Sequence, residues 1–482
     1  MIEQNNLDLK IKKVYPEESV YKAKEIYNVF TGKNIPSFIK DWLIKKFLDE
    51  DGNIDKNGLL YFLQKFIPQK EEAKRLKGEL MQSKAERKVL ARVIVEPDVK
   101  NDIIRFSIPD LEISYKEGII EKFVAEKHPE LLGGEVWGIF SLVYIPPQSP
   151  YGGYISIVDY KPFKPYDIDL DYFREGRKEF TLNEWIDLLI RSMEYSPDGF
   201  LSLEQKLNFL SRLLIFVEPR LNMIELSPKG TGKSYIFNNL SKYGWCISGG
   251  VVTRAKMFYD MSRKTFGFIT KHDFVALDEI QTIKFSDEEE LRGAFKGYLE
   301  SGSFKIGDVN GVSDAGLILL GNIPLNEDLR PINQFYFQEL PEFFKESALL
   351  DRFHGFNEGW RLPRINESMK VRGYALNVEY FSEVLHALRF ASEYSLIVDE
   401  LIETETRADT RDVNAIKKIA TAYFKLLFPH IRDVSYVSKE DFEMFCLKPA
   451  IEKRGIIRRQ IHLVDSEYRE NLPEVKVRKN VG

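Results

Sequence analysis

The run Leu226–Ser234, LSPKGTGKS, constrains the fold more than any other stretch. It follows the apolar segment NMIEL and leads into KSYIFNNLSKY, so a buried strand, a glycine turn and a helix come in direct succession. A turn of this kind lets successive backbone N–H groups close around phosphate oxygens, and the helix behind it adds a favourable dipole. Gly230 and Gly232 supply the conformational freedom. Lys233 is placed to reach the β- and γ-phosphates of ATP, and the Ser234 hydroxyl to ligate Mg2+. Pro228, Lys229, Thr231 and Tyr235 complete the nucleotide-binding stretch. Ser227 stands where GxxxxGK has its first glycine; a serine is harmless there only at negative φ, and it should weaken nucleotide binding at most.

What surrounds the loop is α/β. Thr181 and Glu184 form a capping box that opens the helix TLNEWIDLLIRSM, and LEQKLNFLSRLLIFV gives a second helix before the loop strand. This alternation implies a parallel sheet with helices on both faces. HDFVALDEI is an apolar strand ending in Asp278, which would complete the magnesium shell, and Glu279, placed to orient and deprotonate a water. AGLILLGN ends in Asn322, a polar amide at the strand edge where ligands bind in open α/β sheets, suited to holding that water. In ALLDRFHGF, Arg352 has two readings: an ion pair with Asp351 or Glu358 of its own chain, or a finger reaching a neighbouring subunit's γ-phosphate, which the order of the preceding motifs favours. Arg411 opens a later helix near Thr410 and is placed to sense nucleotide from a lid; an ordinary surface arginine is the alternative.

At 482 residues the chain exceeds the ~250–300 residues that one core supports, so it is multidomain. Residues 1–84 carry a helical period. Residues 85–165 switch to short β-branched and aromatic segments such as VLARVIVEP and GGEVWGIFSLVYI, which read as a small β-barrel or sandwich, an OB-like barrel being preferred, that serves either DNA contact or oligomerisation. Residues 166–180, rich in mixed charge and directly after Pro162 and Pro165, look like a linker; 181–370 form the ATP-binding core, and 371–482 a helical lid and tail. A net charge of −5 leaves any nucleic-acid contact to local basic patches. One such cluster, Lys453, Arg454, Arg458 and Arg459, either lines a DNA path or forms a solvated helix face. Cys246 and Cys446 are isolated, and no apolar run approaches the ~20 residues of a membrane span, so a cytoplasmic protein with no membrane partner is expected.

Loop, acidic strand end, asparagine strand end, arginine finger and helical lid, over residues 181–430, resemble the AAA+ ATPases. The hairpin expected in SGSFKIGDVNGVSDAGLILLGN resembles the branch that contains MCM helicases and Lon proteases. More closely, EWIDLLIRSM, ELSPKGTGKS, SGGVVTRAKMFYDMSRK, LESGSFKIG and LLDRFHGFNEGWRLP are similar to the Lon-related BrxL family of BREX phage-defence systems. The resemblance implies an MCM-like ATPase assembling as single or stacked homo-oligomeric rings on DNA with little sequence preference, alongside other defence proteins. It carries Lys233, Asp278, Glu279, Asn322, Arg352 and Arg411 into the roles above, Glu279, Asn322, Arg352 and Arg411 being the catalytic set. Two departures stand out: Ser227 for glycine, and a chain end at Gly482 where typical members continue into a Lon-type protease-like domain, so no protease activity is expected. The competing readings are an ATP-dependent protein unfoldase or Lon-like protease component, and a nucleotide-gated scaffold. An unfoldase threads its substrate with an aromatic and glycine pore loop; Phe266 and Gly267 sit so close to the acidic strand that they read as a turn instead.

Overall fold

The computed structural model describes residues 6–33, 35–49, 54–98, 100–133, 135–147, 152–262 and 264–478, so the outer ends of the expected 1–84 and 371–482 regions lie outside the described residues. The chain divides into two compact units: Lys24–Asp167 with Met261–Thr265, and the remainder, which takes in everything up to Ala23.

Ahead of its barrel the smaller unit carries the helices Ser37–Lys46, Lys56–Phe66 and Ala73–Ser83. A closed five-stranded barrel follows, from Arg87–Asp98, Ile103–Ser107, Gly118–Ile120, Glu135–Ile145 and Tyr154–Pro162. All its pairings are antiparallel except that of Gly118–Ile120 with Tyr154–Pro162. The period-two pattern of the first strand sends Val89, Ala91, Val93 and Val95 inward, onto Phe106, Phe140, Leu142 and Ile157.

The larger unit is a mixed α/β body around a five-stranded parallel sheet. Its strands lie in the order Gly355–Glu358, Asn222–Ser227, Gly316–Asn322, Phe274–Asp278, Gly244–Ser248. The three central strands are largely apolar runs, as burial on both faces requires. Ile224, Leu226, Val275, Leu277, Leu317 and Leu319 form the centre of its core. The capping box at Thr181 is formed in full: the Thr181 N–H donates to the Glu184 carboxylate at 2.8 Å, and the Glu184 N–H donates to the Thr181 hydroxyl at 3.3 Å. A hairpin pairs Ser303–Ile306 with Val309–Val312. Beyond the sheet lie the helices Val378–Arg389, Glu393–Leu401, Thr410–Leu427 and Lys448–His462. None of the described helices is long and apolar enough to cross a membrane.

Two sequence boundaries need correction. The helix Asn6–Val14 and the strand Ser19–Lys22 belong with the larger unit, not with the helices up to residue 84. Ser19–Lys22 pairs antiparallel with Gly373–Leu376, and Asp8 forms a buried ion pair with Arg191 at 2.7 Å. The stretch 166–180 is not a plain linker: Leu170–Lys178 is a helix, N-capped by Asp169, that buries Phe173. Its Arg177 donates to the Leu427 and Phe180 carbonyls at 2.9 and 2.7 Å. Bonding of its guanidinium to backbone carbonyls inside the unit is what a charge-rich sequence hides.

Candidate nucleotide site

Ser227 closes the central strand, and the loop turns from there through Gly230 and Gly232, both in the left-handed region at φ 84° and 79°. Ser227 itself is an ordinary strand residue and takes no positive φ, so the missing glycine strains nothing. Its fully buried hydroxyl accepts from the Thr231 hydroxyl at 3.1 Å. Gly232 caps the helix Lys233–Asn239; a Cβ on it would meet the Tyr195 hydroxyl at 2.4 Å. The Ile365 N–H ties down the Gly230 carbonyl at 2.7 Å.

The sheet register brings the nominated polar residues to one edge. Asn322 pairs directly with Ser227, and on the other side of its strand lies the strand that ends in Asp278. The Lys233 ammonium donates to the Asn322 side-chain oxygen at 2.8 Å. Burial lowers the Lys233 pKa from its ordinary value, while Glu225, Asp278 and Glu279 oppose that shift. A partly desolvated cation in this position favours a polyanion beside it. Asp278 is buried, only 3 % exposed, whereas its neighbour Glu279 faces solvent. Glu279 has φ 51°, an uncommon conformation for a non-glycine residue and one that clusters at functional sites, and its N–H is held by the Asp278 carboxylate at 2.9 Å. The adjacent acids therefore point to different tasks, one fixed and inward, the other exposed. The glycine conformations, the lysine and the buried carboxylate fit a nucleoside triphosphate with a divalent cation.

Several supporting residues escape a reading of motifs. Gln281 grips the backbone of Asn322 from both sides, donating to its carbonyl at 2.6 Å and accepting from its N–H at 3.3 Å. Beneath the loop, Arg212 and Glu225 form an ion pair at 2.6 Å with neither side chain exposed. Arg212 also donates to the Thr231 carbonyl at 2.7 Å, tying the loop to the sheet. Glu225 accepts in addition from Asn357, whose own oxygen accepts from the Lys453 ammonium at 2.9 Å. Burial works to raise the Glu225 pKa, but the Arg212 guanidinium and the hydrogen bonds outweigh it and hold the group below its ordinary value. The available signal was a lone acid in the buried strand NMIEL and a lone arginine in SRLLIFV: opposite charges in apolar runs require each other.

The two arginines nominated for nucleotide contact are held elsewhere in the isolated chain. Arg352 pairs with neither Asp351 nor Glu358: its Nε lies 2.9 Å from the Glu300 carboxylate, and it donates to the Ala348 carbonyl. Arg411 grips the same Glu300 at 2.9 Å and Asp351 at 2.5 Å, so it is not a free surface arginine either. Among the described hydrogen bonds and ion pairs, neither arginine reaches the phosphate loop. The basic cluster near the C-terminus is corrected outright: Lys453, Arg454 and Arg458 are buried, only 7 %, 0 % and 3 % exposed, and Arg459 alone of the four faces solvent. Arg454 pairs with Asp351 and Asp412, each at 2.7 Å, and Arg458 with Asp412 at 2.5 Å. They are internal counter-charges, neither a DNA path nor a solvated face.

Comparison with known proteins agrees with this geometry. Residues 155–474 match the family described as Lon-like protease BrxL-like, ATPase domain, and residues 13–144 match the BREX system Lon protease-like protein BrxL N-terminal family. The chain is 28% identical over 434 residues to the Lon-like protease BrxL of Escherichia coli O9:H4 (strain HS), covering 89% of this chain and 61% of that protein. It is 29% identical over 451 residues to the Lon-like protease BrxL of Bacillus cereus (strain H3081.97), covering 92% and 64%. It thus spans less than two thirds of the length of both relatives. With matches to both parts and an ATPase-domain match over most of its length, the chain belongs to the BrxL family.

Proposed function

We propose that the chain is an ATP-hydrolysing subunit of a DNA-binding AAA+ ring in BREX-type phage defence. The observation that carries the reading is the Lys233–Asn322 contact at 2.8 Å on the sheet edge shared with Asp278. Lys233 and the loop amides from Lys229 to Tyr235 would hold the phosphates. Magnesium, held by Ser234 and Asp278, would neutralise phosphate charge. Glu279, exposed beside buried Asp278, orients the attacking water and takes its proton, and Asn322 fixes that water. Arg352 serves the neighbouring subunit's site, and Arg411 reports from the helical lid. Lys233→Ala should abolish ATP binding, while Glu279→Gln should bind ATP and stop turnover. Phosphate release persisting in Glu279→Gln would show that the base is another group.

The OB-like barrel and the helices before it are assigned to DNA backbone contact. Duplex or partly single-stranded DNA should bind with little sequence preference and lose affinity steeply with salt. Removing residues 24–167 should weaken that binding strongly while sparing Ser19–Lys22, which belongs to the other unit. DNA bound equally well by the truncated protein at the same salt would overturn this assignment. A second reading, a protein unfoldase, is favoured by the relatives' printed name, Lon-like protease. Against it, Gly267 is built into a packed turn: its N–H bonds to the Phe258 carbonyl at 2.7 Å, and a Cβ there would meet the Met257 carbonyl carbon at 2.4 Å. Stimulation of ATPase activity by DNA, compared with unfolded protein, separates the two.

A further inference from the structure

Arg352, Arg411, Arg454 and Arg458 meet the carboxylates of Glu300, Asp351, Asp409 and Asp412 where the helix Glu288–Ser301, the turn Ser347–Leu350, and the helices Thr410–Leu427 and Lys448–His462 come together. The cluster has two halves. Asp351, Asp412, Arg454 and Arg458 have side chains at most 4% exposed and are cross-linked by pairs of 2.5–2.7 Å. Arg454 also holds the Asp351 and Phe353 carbonyls, so this half fixes the backbone on either side of Arg352. The other half is partly exposed: Glu300 is 45% exposed, Arg352 19% and Arg411 36%. There a single carboxylate receives both nominated arginines, one from each of two separate elements.

We infer that Glu300 is a positioning residue that holds Arg352 on its own subunit and competes for it with the γ-phosphate of a neighbour's nucleotide, an inference that rests on the trans role proposed above for Arg352. A guanidinium whose Nε lies 2.9 Å from the Glu300 carboxylate cannot also turn its fork onto a phosphate without loosening that ion pair. The buried half keeps the base of the arginine in place during that exchange. The exposed half is weak enough to let go, because a partly exposed ion pair contributes little in water. Glu300 also lies one residue before Ser301, the end of its helix, and Gly302 there turns the chain at φ 79° into the hairpin Ser303–Val312.

The test uses the full chain, with steady-state ATP hydrolysis of wild type, Glu300→Gln, Glu300→Asp, Arg352→Ala and the Glu300→Gln/Arg352→Ala double variant, and thermal unfolding of each. Glu300→Gln should raise kcat about two- to five-fold, the weight of a partly exposed ion pair, with KM for ATP unchanged. Glu300→Asp, which keeps the charge, should lie closer to wild type. The gain should vanish when Arg352 is absent. An unchanged or lowered kcat in a Glu300→Gln protein that melts like wild type overturns the inference, as does a gain that survives in the double variant. If Arg352→Ala alone hydrolyses at the wild-type rate, the trans role and the inference fall together. If Arg352→Ala is inactive and Glu300→Gln gains nothing, only the competition falls.

Discussion

Replacing Glu225 by alanine asks whether the phosphate loop is held from beneath by charge. Glu225 and Arg212 are both fully buried, and the substitution leaves Arg212 without its counter-ion and Asn357 without an acceptor. Removing one partner of such a pair costs about 3–5 kcal/mol. That is a large part of the ~5–15 kcal/mol by which domains are stable, and at about 2–4 °C per kcal/mol it amounts to roughly 6–20 °C in melting temperature. The double change Arg212→Met with Glu225→Leu should recover most of this loss, because replacing a buried pair by apolar residues is often neutral. It should not recover nucleotide affinity, since the Thr231 carbonyl has lost the guanidinium that holds it at 2.7 Å. Thermal unfolding without nucleotide, together with titration of a non-hydrolysable ATP analogue, measures both quantities. The reasoning is refuted if Glu225→Ala melts within about 2 °C of wild type, or if the double variant binds the analogue as tightly as wild type.

Ser227→Gly should lower stability by about 1 kcal/mol through loss of the bond from Thr231, leaving nucleotide affinity little changed; Gly359→Ala should do more harm to both, since a Cβ there would lie 2.2 Å from the Ser227 Cβ. Burial pushes the Glu379 carboxyl up to about 7 against the pull of Lys242. The stability gained by holding that proton is complete below the unfolded value near ~4.3 and lost as pH rises through 7, so wild type should weaken against Glu379→Gln by up to about 3 kcal/mol from pH 4 to 8; a difference that ignores pH, in denaturant titrations, would remove Glu379 as the source. Arg352→Ala should bind ATP while losing about 10³–10⁵ in turnover, and mixing it with Lys233→Ala subunits should restore some activity by completing a junction; verified mixed rings without recovery would place Arg352 in its own subunit's structure.

What could be read from the sequence was what is local. The glycine loop, the acidic strand end and Asn322 are each short strings in which an apolar run positions one or two polar residues, and parallel register brings them to one edge. The capping box at Thr181 is local in the same way. Arg454 was misread because its partners, Asp412 and Asp351, lie 42 and 103 residues away, so a run of positive charge says nothing about what neutralises it. Glu300 was invisible for the same reason: nothing in LESGSFKIG indicates that two distant arginines converge on it. The stretch 166–180 failed on composition, since charged residues on a short helix look solvated until carbonyls are found for them.

The pairing of Ser19–Lys22 with Gly373–Leu376 sets a schedule for biosynthesis. The strand leaves the ribosome early and has no partner until about 350 residues more have been made, roughly 20–70 s later at usual elongation rates. In that interval the barrel, whose strands all lie between Arg87 and Pro162, has its complete set of partners and can close. The larger unit must wait with an unpaired β edge and an apolar central sheet, so newly made chains are most exposed to aggregation and to chaperones before residue 376 emerges.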